Sequence, residues 1–211
     1  FTTFTDGFVY VRKPLSLNFE HYMWVHRSGE LYKDRPIVVY EYQKGRDHKI
    51  PLEFIKDYKG ILVTDGLQQY HLVDKLLPDV INAIVGLTQD EILGAVKAAD
   101  KKIRILSAVG GVSGTAKIGE FYNLDTELKK LSSSERLQKT ARSNKALVEE
   151  FFVWLKQQFL ECAVPPKSKT AQGLNYIINQ ESYLKVFLTD GDIPIDNSAS
   201  ERSIRTFCVG K

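Results

Sequence analysis

Apolar and polar positions change their spacing part-way along this chain, near residue 88. Before that point the apolar residues come in short runs rich in β-branched and aromatic side chains. Residues 2–12, 21–27 and 36–42 are three such runs and predict strands. Ser28-Gly29-Glu30 is a turn signal between the second and third. Three strands in sequence suggest an antiparallel meander. Residues 50–58 then switch to helical spacing, with Leu52, Ile55 and Tyr58 three apart. Gly60 reads as the glycine that closes this helix. Residues 60–64 form a short apolar run, and Asp65-Gly66 reads as the turn after it. Residues 67–77 return to helical spacing up to Pro78, and residues 80–85 predict a fifth strand.

From about residue 89 the pattern is helical. Residues 90–106 carry Ile92, Ala95, Val96, Ala99 and Ile103 on one face, and residues 109–113 form a Gly-rich break. Residues 120–131 predict a short helix, and Ser132-Ser133-Ser134-Glu135 a cap for the next. Residues 136–160 predict a long amphipathic helix that buries Leu147, Phe151, Phe152, Trp154, Leu155 and Phe159, and Pro165-Pro166 stops it. Residues 170–188 predict one more helix, ended by Asp190-Gly191. The order β-β-β-α-β-α-β of the first part is that of a ribonuclease H-like α/β fold. The expected organisation is a strand-rich core over residues 1–88, a helical insertion over 89–170, and C-terminal helices over 171–211 that complete the core. The sheet is expected to be mixed, with the insertion placed before the last catalytic helix.

Composition narrows this picture modestly. The chain has 211 residues, 43% hydrophobic and 26% charged, enough to bury a sizeable core. Its formal net charge of +3 permits a polyanionic partner without requiring one. Cys162 and Cys208 are far apart and lack metal spacing, as in an intracellular protein with reduced thiols. No apolar run reaches the roughly 18 residues of a membrane span. The abrupt ends, Phe1-Thr2-Thr3-Phe4 and Gly210-Lys211, suggest a fragment truncated at both sides.

Candidate chemistry concentrates at the C-terminal end. Asp196-Asn197-Ser198 is a good helix start, because short polar side chains cap free backbone N–H groups. Glu201, Arg202 and Arg205 fall in the first turns of that helix. A carboxylate flanked by two guanidiniums suits a metal beside phosphate better than it suits a core. Each feature also has a plainer reading: Asp-Gly is often only a turn, and a Glu–Arg pair is often a solvated surface pair. His21, His26, His48 and His71 lack paired ligand spacing and read as surface or core residues. The run Lys129, Lys130, Arg136, Lys139, Arg142 and Lys145 reads mainly as a solvated helical face. If it binds DNA, its affinity falls steeply with salt. Gly110-Gly111 and Gly114 lack the lysine of a phosphate-binding loop.

The run from Tyr183 to Arg202, Tyr22-Met23-Trp24-Val25, Thr64-Asp65-Gly66 with Tyr70, and Gly173-Leu174-Asn175-Tyr176 together resemble insertion sequence 66 family transposases. The resemblance implies a DDE transposase with a ribonuclease H-like core and three acids holding two divalent ions, Mg²⁺ or Mn²⁺. Carried over, the second acid is Asp65 and the third is Glu201. The first belongs upstream of Tyr22, where Asp6 is the acidic residue before Glu20. Arg202 and Arg205 would contact DNA, and Asn197 would orient Glu201 or a metal-bound water. Two departures stand out. The family's Asp-Glu-Thr context reads Asp6-Gly7-Phe8 here, and the basic motif expected after the fifth strand reads Ile84-Val85-Gly86-Leu87. The implied partners are DNA, as insertion-sequence ends and target, and a second transposase subunit. The implied location is the bacterial cytoplasm at the nucleoid, with no membrane. The rival readings are an inactive transposase remnant that keeps the fold and weak DNA binding, and an interaction protein whose helical half binds a partner. Hard oxygen donors are what such chemistry needs, converging on ions about 3.5–4 Å apart.

Overall fold

A computed structural model describes residues 2–7, 22–29, 37–66, 68–85, 94–97, 114–161, 165 and 167–209. For residues 2–7, 68–69, 74, 161, 169 and 206–209 it describes the backbone. The chain divides into two compact units, Phe1–Val85 with Asp196–Lys211, and Gly86–Ile195.

The first unit is built on one mixed sheet. Strands β1 (Thr2–Gly7), β2 (Tyr22–Ser28), β3 (Val38–Gln43), β4 (Gly60–Thr64) and β5 (Val80–Ile84) lie in the order β3-β2-β1-β4-β5. β1, β2 and β3 pair antiparallel, as the meander pattern predicts. β4 is parallel to β1 and to β5. Parallel neighbours need crossovers. These are α1 (Lys49–Phe54) and a 3₁₀ turn, Gln68–Leu72, running into α2 (Val73–Leu76).

Both faces of the sheet centre are buried. Trp24, Ile55, Leu62, Tyr70, Val73 and Val80 form a core cluster on the side of α1 and α2. The Trp24 and Tyr70 rings meet edge to face, 6.2 Å apart. Val25 and Val63, next in line along their strands, are equally buried, and successive strand residues point to opposite faces. Each such aliphatic or aromatic side chain gains about 1.5–3 kcal/mol on full burial.

Two local expectations need correction. The helix predicted over residues 50–58 ends at Phe54, with Ile55 as its C-cap, so Gly60 does not close it. Gly60 opens β4 instead, at φ 129°, a conformation that L side chains rarely adopt. The Tyr58 hydroxyl donates to the Ile61 carbonyl at 3.0 Å, and a Cβ on Gly60 would stand 3.1 Å from that hydroxyl. The helix predicted over residues 67–77 is a 3₁₀ turn and a single α turn, because a short crossover leaves no length for more.

The second unit is helical. It holds α3 (Gly114–Leu128), α4 (Ser133–Lys139), a π turn (Thr140–Asn144), α5 (Lys145–Glu161), α6 (Lys169–Asn179), α7 (Glu181–Leu184) and a 3₁₀ turn (Val186–Leu188). The Ser-rich cap is present: Glu135 accepts from the Ser132 N–H at 3.0 Å and from its hydroxyl at 2.6 Å. These two bonds, the hydroxyl's first, hold the Glu135 carboxyl below its usual range. The helix predicted over 136–160 is therefore interrupted by the π turn, and the one predicted over 170–188 breaks at Gln180. Phe151, Phe152 and Leu155 are buried as expected. Phe151 meets Phe121 edge to face and stacks on Trp154. The helices over 169–188, expected to complete the catalytic core, lie in this second unit. The expectations for residues 8–12, 90–93, 98–106, 109–113 and 162 fall outside the described residues.

Candidate active site

The last helix, α8 (Ser198–Val209), belongs to the first unit and packs against β1 and β2. Its start is built from the polar run that the sequence singled out. The Asp196 carboxylate accepts from the Ser198 N–H at 2.9 Å. The Asn197 carbonyl accepts from Ser200 and Glu201 at 2.9 and 3.1 Å, opening the helix. The Tyr40 hydroxyl on β3 donates to the Ser203 carbonyl at 2.8 Å. That bond fixes which face of the sheet the helix covers. Tyr40 pairs with Val25, so both point away from Trp24 and the α1 side.

The same face carries the end of β4. Leu62 belongs to the cluster on the α1 side, so Val63 points the other way. Asp65, two residues on, follows the last strand residue and is half-buried. Gly66 after it has φ 84° and turns the chain sharply. Val63 near the end of β4 thus faces the side that α8, which carries Glu201, covers, and Asp65 follows that strand end. Glu201, Arg202 and Arg205 are exposed.

Asp6 is at the C-terminal end of β1, between β2 and β4, and its backbone pairs with Trp24. β1 and β4 run parallel, with Thr2 level with Leu62 and Thr3 with Val63. Asp6 and Asp65 are therefore at the same ends of adjacent strands, but the Asp6 position pairs with Trp24 and so belongs by strand alternation to the α1 face, opposite that of Val63 and α8. Among the described side chains no group of three or more His, Cys, Asp or Glu is gathered as a metal cluster. The Asp6 side chain is not among them. Carboxylate oxygens are nevertheless the donors that Mg²⁺ or Mn²⁺ takes.

Behind Asp65 stands a polar network that the sequence reading did not single out. Thr64, the residue before Asp65, donates through its hydroxyl to Asn82 Oδ1 at 3.0 Å. Asn82 Nδ2 donates to the Tyr70 carbonyl at 3.3 Å. Thr64 and Asn82 are buried, so the three elements β4, β5 and the 3₁₀ turn are locked where β4 delivers Asp65. Its signal was a lone Asn inside the apolar run Val80-Ile81-Asn82-Ala83-Ile84. His26 is likewise buried. It contacts Glu41 at 3.1 Å and stacks on Phe54 at 3.6 Å, a core histidine as expected.

A family model described as the transposase IS66 family matches residues 13–84 and 97–211. This chain belongs to that family. As a family member it resembles the uncharacterized protein y4qI of Sinorhizobium fredii, 28% identical over 177 residues, which cover 81% of this chain and 31% of y4qI. It also resembles the uncharacterized protein y4hP of the same organism, 24% identical over 92 residues, 44% of this chain and 16% of y4hP. The transposase-family chain thus spans less than a third of the length of these curated relatives. No solved structure matches it. Asp65 and Glu201 fall within the matched residues, and Asp6 lies upstream of them. No helix among the described residues is long and apolar enough to cross a membrane.

Proposed function

We propose that this chain is the catalytic domain of a metal-dependent DNA transposase with a ribonuclease H-like core. In this reading Asp65 and Glu201 hold Mg²⁺ or Mn²⁺, and the substrate is the end of an insertion sequence. One observation supports the reading: the helix of Glu201 covers the face on which Val63 lies, and Asp65 follows the end of Val63's strand in a sheet ordered β3-β2-β1-β4-β5. Family membership supplies the reaction class.

The bound ions would activate the attacking water or DNA 3′-hydroxyl and stabilise the leaving oxygen. The chain's own residues set the stage. Asp65 offers a carboxylate from the end of β4, and Glu201 offers a second from a helix fixed by the Tyr40 bond, while the Asp6 position pairs with Trp24 and belongs to the opposite face of the sheet. Arg202 and Arg205, both exposed, present forked donors to backbone phosphate. Cutting and joining two element ends favours a symmetric pair of subunits, and we extend the proposal to a homodimer on DNA.

The test is calorimetric titration of Mn²⁺ into the chain and into Asp65→Asn and Glu201→Gln, followed by metal-dependent nicking of supercoiled DNA. Binding lost in both variants, with nicking lost alongside it, is the expected result. Binding indifferent to both substitutions defeats the reading. Binding without nicking favours the inactive remnant, for which the altered segment after β5 speaks.

A further inference from the structure

The helical unit has a feature of its own that the carboxylate site does not use. Between α4 and α5 the helix widens into the π turn Thr140–Asn144. Such turns are rare and are often found at functional sites. The turn packs against the 3₁₀ segment Val186–Leu188. It borders a cavity of about 250 Å³ whose lining includes Leu124, Leu128, Lys139, Arg142, Ser143 and Asn144. Glu127 is the one acid in the lining among the described residues.

Asn144 is only 3% exposed, yet its Oδ1 has no hydrogen-bond partner among the described residues. A buried polar atom without a partner is costly, which sets this amide apart from the apolar side chains around it. The same amide carries an N–H₂, a donor suited to an anionic oxygen. The basic run in this region divides into two sets. Lys129 and Arg136 are held by the buried Asp125, at 2.9 and 3.9 Å. Lys139 lies within electrostatic reach of Glu135, and Arg142 makes no ion pair among the described residues. Both of these cations line the cavity and are exposed. The cavity is smaller than the roughly 300–1,000 Å³ of pockets that enclose a drug-sized molecule. Its size suits one charged group of a longer chain better than a whole nucleotide.

We propose that this cavity is a DNA phosphate site: Lys139, Arg142, Ser143 and Asn144 hold one stretch of the sugar–phosphate backbone in the helical unit. The choice of DNA rests on the transposase reading. The site itself rests on the cavity, its exposed cations and the buried amide in its lining.

The test is fluorescence anisotropy of a short labelled duplex with the whole chain, in EDTA, at salt from about 50 to about 200 mM. The double variant Lys139→Ala/Arg142→Ala is expected to bind about tenfold or more weakly, with a log–log salt slope shallower by about two. Asn144→Asp, which places a carboxylate where an anion should sit, is expected to weaken binding at least as much. Lys130→Ala, exposed and outside the lining, is expected to stay within about twofold. Thermal melts of each variant check that it folds. Equal losses from Lys130→Ala and from the double variant would show diffuse attraction and overturn the site. So would unchanged binding in the double variant, or displacement of the duplex by inorganic phosphate at equal phosphate concentration. Asp65→Asn and Glu201→Gln should bind the duplex normally in EDTA. Failure of the carboxylate reading would therefore show in the Mn²⁺ titration, and failure of this site would show here.

Discussion

At the scale of single residues, the turn after β4 and the buried histidine carry sharp expectations. Gly66 has φ 84°, where an L side chain is strained by about 1–2 kcal/mol. Gly66→Ala should therefore lower the urea midpoint by an amount corresponding to about that energy, and weaken Mn²⁺ binding through Asp65 beside it. His26 makes a separate prediction about acid. Burial disfavours its charged form and keeps its pKa below the usual value, although the hydrogen bond and the charge of Glu41 act in the opposite direction. A histidine whose folded pKa is lowered is protonated more readily in the unfolded chain. The unfolded state then binds more protons between that lowered pKa and about 6.5, so stability falls as pH drops through this window. Melting temperature measured at pH 7.5 and at pH 5.5 should fall on acidification in the native chain. The drop should be smaller in His26→Gln, and an equal drop in both would remove His26 as the cause.

At the scale of elements, close backbone approaches decide which changes are tolerated. A Cβ on Gly191 would collide with the Ser133 carbonyl oxygen and stand 3.0 Å from the Leu137 nitrogen. The neighbouring Asp192 accepts from the Ser133 hydroxyl at 2.8 Å. Both contacts are at the start of α4, so Gly191→Ala should push that helix away at a cost of about 1–3 kcal/mol, read from chemical denaturation. Asn82→Leu is a test of a different kind. It leaves the Thr64 hydroxyl and the Tyr70 carbonyl without their partner, at about 1–3 kcal/mol, and loosens the strand that ends in Asp65. The sequence made much of this legible. Short β-branched runs at residues 21–27 and 36–42 became β2 and β3 within two residues, because strand pattern and burial agree there. The Ser132–Glu135 cap was equally plain, being a local reciprocal bond. The breaks were not legible. The π turn keeps the apolar spacing of a helix, and the stop at Gln180 has no Pro or Gly to mark it. The closure of Tyr40 onto Ser203 joins residues 163 positions apart, a distance at which no periodicity can speak.

At the scale of the molecule, the first unit is assembled from both ends of the chain, with the helical unit between them in sequence. α8 packs on β1 and β2, on the face where Val25 and Val63 are buried, and brings Glu201 with it. One prediction belongs at this scale. A chain ending at Ile195 keeps all five strands and Asp65 but loses the helix that covers this face. It should melt lower than the whole chain and bind a dye that reports exposed apolar surface. It should also lose Mn²⁺ binding as completely as Glu201→Gln does. The point substitution should leave the melting temperature nearly unchanged, because Glu201 is exposed. Adding the missing segment back as a separate peptide should restore stability in proportion to its concentration, by ordinary linkage between binding and folding. A peptide carrying Glu201→Gln should then restore stability without restoring the metal site. If the truncated chain still bound Mn²⁺ with undiminished affinity, the ions would be held by other groups, and the helix would serve the fold alone.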